Sequence, residues 1–270
     1  MRVTIPQAQH RAQDDLQCNA MPFARSIDEV VDALTVIIEQ ARGEHSRLGY
    51  FPALYRRVTR AVRDGIAQGR FQDGARMERL DVVFANRYLA AYDEWRAGQA
   101  VSRCWLLAFQ AAGRADRTII QHLLLGMNAH INLDLAVAAA EVAPGPAIAT
   151  LQGDFQEINQ ILNEQVDGVQ DAIASVSPLM WMLDTVGGRH EERMVEFSMA
   201  KARDAAWMQA KFFAGLGTGE KPAAIGAVDT GITVIGAGVL DPPEFLMRAT
   251  IRMVVKSEAQ DVVRIIDALQ

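Results

Sequence analysis

Residues 119–135 read IIQHLLLGMNAHINLDL, a run apolar enough for a domain core that nevertheless carries two histidines, two asparagines and an aspartate. Buried polar groups cost free energy unless they are hydrogen-bonded, so such a run needs partners. At about 100° per residue, a helix places His122, Gly126, His130 and Asp134 on one slowly drifting stripe, with Gln121, Asn128 and Asn132 roughly opposite. A helix that is apolar between two polar stripes has no single wet face, which places it at the centre of a bundle. The pattern predicts this spine over 117–142, capped by Asp116 and stopped by the Pro-Gly-Pro at 144–146.

The flanking sequence supplies its neighbours. Ser26 with Glu29 forms a capping box before Ile27, Val30, Val31, Leu34, Ile37 and Ile38, predicting a helix over 27–42. A second helix with an irregular start follows Gly49 and Pro52. Asp73 and Gly74 make a turn before a helix that ends near Gly98, and a shorter helix covers 103–112. Downstream, 147–176 keeps the helical period, Ser177 and Pro178 start a short helix ending near Gly187, and 189–216 forms another. From 217 to 240 the composition turns glycine-rich, and two short helices close the chain. No window shows sustained strand alternation. The expected class is all-α: a single multi-helix bundle around the helix at 117–142. In that organisation 1–21 is a flexible N-terminal segment, 22–216 the helical domain, and 217–270 a glycine-rich segment plus C-terminal helices packed on the bundle or used in assembly.

A chain of 270 residues is long enough for one large core, and its formal charge of -6 with no basic patch argues against a nucleic-acid surface. Lysine occurs only at Lys201, Lys211, Lys221 and Lys256, so nearly all positive charge is arginine, which suits bidentate contacts to carboxylate or phosphate. Two thiols, Cys18 and Cys104, indicate neither a disulfide scaffold nor a cysteine metal knuckle. The N-terminus lacks a secretory h-region, and the apolar runs look too interrupted to span a bilayer. A soluble, cytoplasmic protein without membrane partners is therefore expected, with a homo-oligomer left open. The glycines after 226 do not follow a strand with dinucleotide spacing, so no nucleotide cofactor is indicated.

His130 and Asp134 lie one helical turn apart, and imidazole with carboxylate is a ligand set for zinc, manganese or iron. His122 is two turns back, about 12 Å along the axis. It is carried as a third metal or catalytic candidate, with Asp81 as the fourth metal ligand because apolar residues surround it in sequence. Without a metal, His130 would be a general base oriented by Asp134. Arg79, Asn86, Asn128 and Asn132 are the candidates for holding a substrate. The plainer alternative has His130 and Asp134 bonding only each other while the asparagines tie helices together. Neither HExxH nor the paired ExxH of di-iron bundles is present.

RLGYFPALYRRVT from Arg47, RMERLDVVFANRYLAAYDEW from Arg76, HLLLGMNAHINLDLAVAAAEVAPG from His122 and FSMAKARDAAW from Phe197 together resemble the family labelled domain of unknown function 5995. The resemblance covers about 22–216 and implies no activity. A slighter likeness, in the His130-to-Asp134 spacing alone, is to zinc-dependent phospholipases and single-strand nucleases, whose next histidine and N-terminal tryptophan ligand are missing here. The expected function is an enzyme with a buried His/Asp site, metal-assisted or not, acting on a small, partly apolar anionic substrate. The alternative is a non-catalytic bundle that binds an apolar ligand or a partner helix.

Overall fold

The computed structural model describes residues 23–183 and 199–270; the segment at 1–21 and the expected helix start at 189 lie outside them. The described residues form eleven main α-helices and no strand. These are α1 (Ile27–Gly43), α2 (Tyr50–Ala67), α3 (Gly74–Arg96), α4 (Arg103–Ala112), α5 (Ile119–Ala129), α6 (Leu135–Val142), α7 (Gln152–Val176), α8 (Met199–Gly215), α9 (Lys221–Leu240), α10 (Phe245–Ser257) and α11 (Val262–Leu269). The chain is an all-α bundle.

α5 and α6 are two halves of the expected spine, joined without a break by a π-helical turn at His130–Asp134, whose last bond runs from the Leu135 N–H to the His130 carbonyl. Helical periodicity had predicted an unbroken α-helix. Its start differs too: Thr118, not Asp116, caps α5, with Gln121 returning the bond to complete a capping box. At α1 the Ser26 hydroxyl accepts from Glu29 N–H as expected, but the Glu29 carboxylate reaches back to Arg25 N–H rather than to Ser26. α6 presents Ala136, Ala138, Ala139 and Ala140 to the core shared with Ala202, Ala206 and Ala210 of α8, and side chains this small let the two backbones approach closely.

The glycine-rich stretch is the largest departure from expectation. It forms α9, a 20-residue helix laid across α4 and α5. Glycine costs roughly 1 kcal/mol per helical position against alanine, and here burial of Ile232 and Leu240, with the two bonds that Asp229 accepts from α4, offsets it. Gly236 is needed for the approach itself, since a Cβ there would lie 3.0 Å from Leu107 and 3.1 Å from Asn128. α11 also joins the bundle: Val262, Ile265, Ile266 and Leu269 share a core with Ile38, Tyr50 and Leu123. The apolar runs are longer than the sequence reading allowed. Ile119–Val142 and Lys221–Leu240 are each long and apolar enough to cross a membrane, the first 83% buried within the fold and the second 22%.

Three buried carboxylates tie distant segments together at helix starts, where unpaired N–H groups and the helix dipole favour negative charge. Asp229 of α9 accepts from Arg103 N–H (2.8 Å) and Cys104 N–H (3.0 Å) of α4. Glu258 accepts from Ile119 N–H of α5 and from the Ser177 hydroxyl. Asp154 of α7 accepts from Gln72 and Asp73 N–H, and from Arg76, at the head of α3.

Candidate functional site

α2, α3, α5, the π turn and α7, with Arg203 of α8, line a cavity of about 280 Å³ with an almost wholly apolar wall. His130 and Asp81 are both part of that wall. His130 is 3% exposed; its Nδ1 faces Asp134 Oδ2 at 3.5 Å, its ring stacks on Phe84 with centroids 3.6 Å apart, and Tyr55 meets it edge-on at 4.4 Å. With Nδ1 turned to a carboxylate, Nε2 is left as the free nitrogen, and it has no hydrogen-bond partner among the described residues. Burial lowers the His130 pKa, opposed by the bond to Asp134.

Asp134 lies behind His130, outside the cavity wall. Its Oδ1 accepts from Arg87 Nε at 2.9 Å and its Oδ2 from Trp105 Nε1 at 2.8 Å. The carboxylate is thus fixed by an arginine and an indole before it meets the imidazole, an arrangement that orients the ring. Arg87 was legible only as part of a polar run, and Trp105 only as a core aromatic. Neither residue type announces itself as a carboxylate donor until the fold brings α3 and α4 to the π turn.

Asp81, one tenth exposed at most, presents an Oδ2 without a partner, and burial followed by the nearby Glu78 pushes its pKa up to about 7. The folded chain therefore binds more protons than the unfolded chain between the ordinary carboxylate value of 3.8 and about 7, and stability falls as pH rises through that window. Asp81→Asn removes this loss. The variant and the native chain are expected to melt together near about pH 4, with the variant several degrees higher near about pH 8. A melting difference that does not change with pH would contradict the assignment. His130 has the opposite sign: its lowered pKa makes stability fall as pH drops below the usual imidazole range.

The other candidates are placed elsewhere. His122 lies in a separate small crevice with Arg47, Ala108 and Ala112, and burial, then Arg47, lowers its pKa to about 4. Phe51 separates the histidines. Gly126 stands between them on α5, and a Cβ there would fall 2.6 Å from the Phe51 ring, so the missing side chain is what admits the phenyl group. Phe51 lines both the crevice and the cavity. Arg79 is exposed on α3 and is not part of the cavity wall. Asn86 is occupied with both backbone groups of Ala24. Asn128 donates to the Ile232 carbonyl of α9 and accepts from Asn132, so these two asparagines tie α9 to the spine.

The four residues expected to hold a metal do not assemble. His122 is walled off, both Asp134 oxygens already accept from Arg87 and Trp105, and a guanidinium at that carboxylate opposes a second cation. Among the described residues no group of three or more His, Cys, Asp or Glu side chains converges. His130 and Asp81 alone fall short of the three protein ligands usual for a catalytic zinc.

A family model described as "Family of unknown function (DUF5995)" matches residues 27–242. The match runs past the 22–216 of the sequence resemblance and takes in α9, in keeping with the packing of that helix across α4 and α5. Neither the comparison with curated proteins nor that with solved structures finds a match.

Proposed function

We propose that this chain, which belongs to the DUF5995 family of unknown function, is an enzyme that moves a proton on a small, largely apolar molecule held in the cavity. What carries the reading is the presence, in one apolar wall, of an imidazole nitrogen and a carboxyl oxygen that are both buried and both without partners. Groups left this way in a core are costly, and a ligand that bonds to them supplies what the fold withholds.

His130 is the general base. Its Nδ1–H points to Asp134, so Nε2 takes a proton, and Asp134, held by Arg87 and Trp105, stabilises the imidazolium that forms. Asp81, with its pKa near neutrality, returns a proton to the ligand. The aromatic rings of Phe84 and Tyr55 exclude water from the imidazole. This reading uses only the chain's own side chains.

5-Nitrobenzisoxazole tests this directly. It is compact and apolar, and when a base removes the C–H proton of its isoxazole carbon, that electron pair forms a nitrile and the N–O bond breaks to release a coloured cyanonitrophenolate. The native chain is expected to open the ring about a hundredfold faster than free imidazole at equal concentration, and His130→Gln to return the rate to background while still melting cooperatively. A native rate equal to background, or one unchanged in His130→Gln, would reject the reading.

A further inference from the structure

One charged group in the cavity wall has no part in that chemistry. Arg203 of α8 is 4% exposed, donates from Nη2 to the Phe155 carbonyl at 2.7 Å and from Nε to Asn159 Oδ1, and lies with its guanidinium carbon 4.4 Å from the Phe155 ring centre. All of these partners are neutral. Arg70 meets Glu157 and Glu164, Arg76 meets Asp154, and Arg87 meets Asp134, while Arg56, also buried, bonds the neutral Thr35 and Gln270 but lies outside the cavity wall. Arg203 has no carboxylate partner among the described residues, and Asp204, the one acid that affects it, is exposed. Burial pushes its pKa down to about 9. A cation taken out of water without a counter-ion is among the most costly features a core can hold, unless a ligand brings the counter-ion with it.

We propose that Arg203 receives the head group of a medium-chain monocarboxylate, whose hydrocarbon tail fills the cavity. This inference rests on the cavity being a ligand site and deepens that reading by naming the class of ligand. One positive charge in the wall matches one negative charge. A phosphate monoester would bring a second charge that nothing in the apolar wall neutralises. The space of about 280 Å³ equals roughly nine water volumes, which suits an acid of about eight to twelve carbons. Asp81 is no fixed negative charge facing the head group, because burial pushes its pKa up to about 7. Arg203, His130 and Asp81 line the same cavity, so a tail held from Arg203 lies in the space that His130 and Asp81 border.

Calorimetric titration of the full chain with sodium decanoate and with decanol, at neutral pH, separates this inference from the reading beneath it. The native chain is expected to bind decanoate about tenfold or more tighter than decanol, because a buried donor rejects a ligand lacking the charge. Arg203→Gln should bring the two affinities together, while Arg203→Lys keeps a preference for the acid. Equal binding of the two by the native chain would overturn the role of Arg203 and leave the cavity reading intact. An undiminished preference in Arg203→Gln would also overturn it. Failure to bind either compound, with no turnover of the benzisoxazole, would remove both. Should Arg203→Gln not fold, decyl phosphate is the deciding ligand for the native chain: weaker binding than decanoate supports a monocarboxylate site, and equal or tighter binding overturns it.

Discussion

Asp134→Ala is expected to destabilise the fold by about 3 kcal/mol, a large share of the 5–15 kcal/mol that typically separates folded from unfolded states. The carboxylate is 2% exposed and accepts from three elements at once: Arg87 of α3, Trp105 of α4 and the His130 imidazole of the π turn. Its removal leaves the Trp105 indole N–H and the His130 Nδ1–H buried without acceptors, each at a cost of about 1–3 kcal/mol. Arg87 is 30% exposed and can turn to water, so its share is small. Asp134→Asn keeps the shape and one acceptor oxygen, and should lose about half as much. Urea unfolding of the three chains with a common slope measures this. A loss under about 1 kcal/mol for Asp134→Ala would show that the cluster contributes little.

A chain ending at Leu216 is expected not to melt cooperatively. Such a chain lacks Asp229, so the first N–H groups of α4 lose their acceptor, and it lacks Glu258, which accepts from the first N–H of α5. It also lacks the Ile232 carbonyl to which Asn128 donates, and the apolar side chains with which α11 covers Ile38 and Tyr50. The expected product keeps helical far-ultraviolet dichroism, loses its near-ultraviolet signal and binds a hydrophobic dye, the marks of a compact state without fixed packing. A sharp transition within a few degrees of the full chain would show instead that 217–270 is an appendage.

That second expectation reverses part of what the sequence suggests, for a physical reason. Helices α1 to α4 and α7 were legible because an apolar period needs no knowledge of the partner, whereas α5 and α6 were read as one helix and the π turn between them leaves no periodic signal. α9 was not legible: glycine at 226, 231, 236 and 238 is read as helix-breaking, and only the surfaces of α4 and α5 show why the backbone of Gly236 must come so near. Caps followed the same rule. Ser26 could be read because its acceptor lies three residues from the N–H it serves, whereas Asp229 and Cys104 are separated by 125 positions. At the cavity, the sequence singled out His130, Asp134 and Asp81, since charge inside an apolar run is visible locally. It also grouped His122 with them, because helical geometry alone puts both histidines on one stripe and says nothing of the phenyl ring of Phe51 lodged over Gly126. Arg203 sits among alanines on α8 and reads as ordinary solvated charge until α7 is laid against it.

The π turn at His130–Asp134 has a consequence for insertion and deletion. Such a turn holds one residue more than the α turn it replaces. Deleting one of its five residues would let an ordinary α-helix re-form with α5 and α6 facing as they do now, because the wider turn sweeps about the same angle with one residue more. Asn128 would keep the Ile232 carbonyl and α6 would keep its alanine face on α8. A residue deleted elsewhere in α5 or α6 would instead rotate one half by about 100° against the other. The loss inside the turn is local, falling on the His130-to-Asp134 pairing, so this is a place where the spine tolerates a change of length.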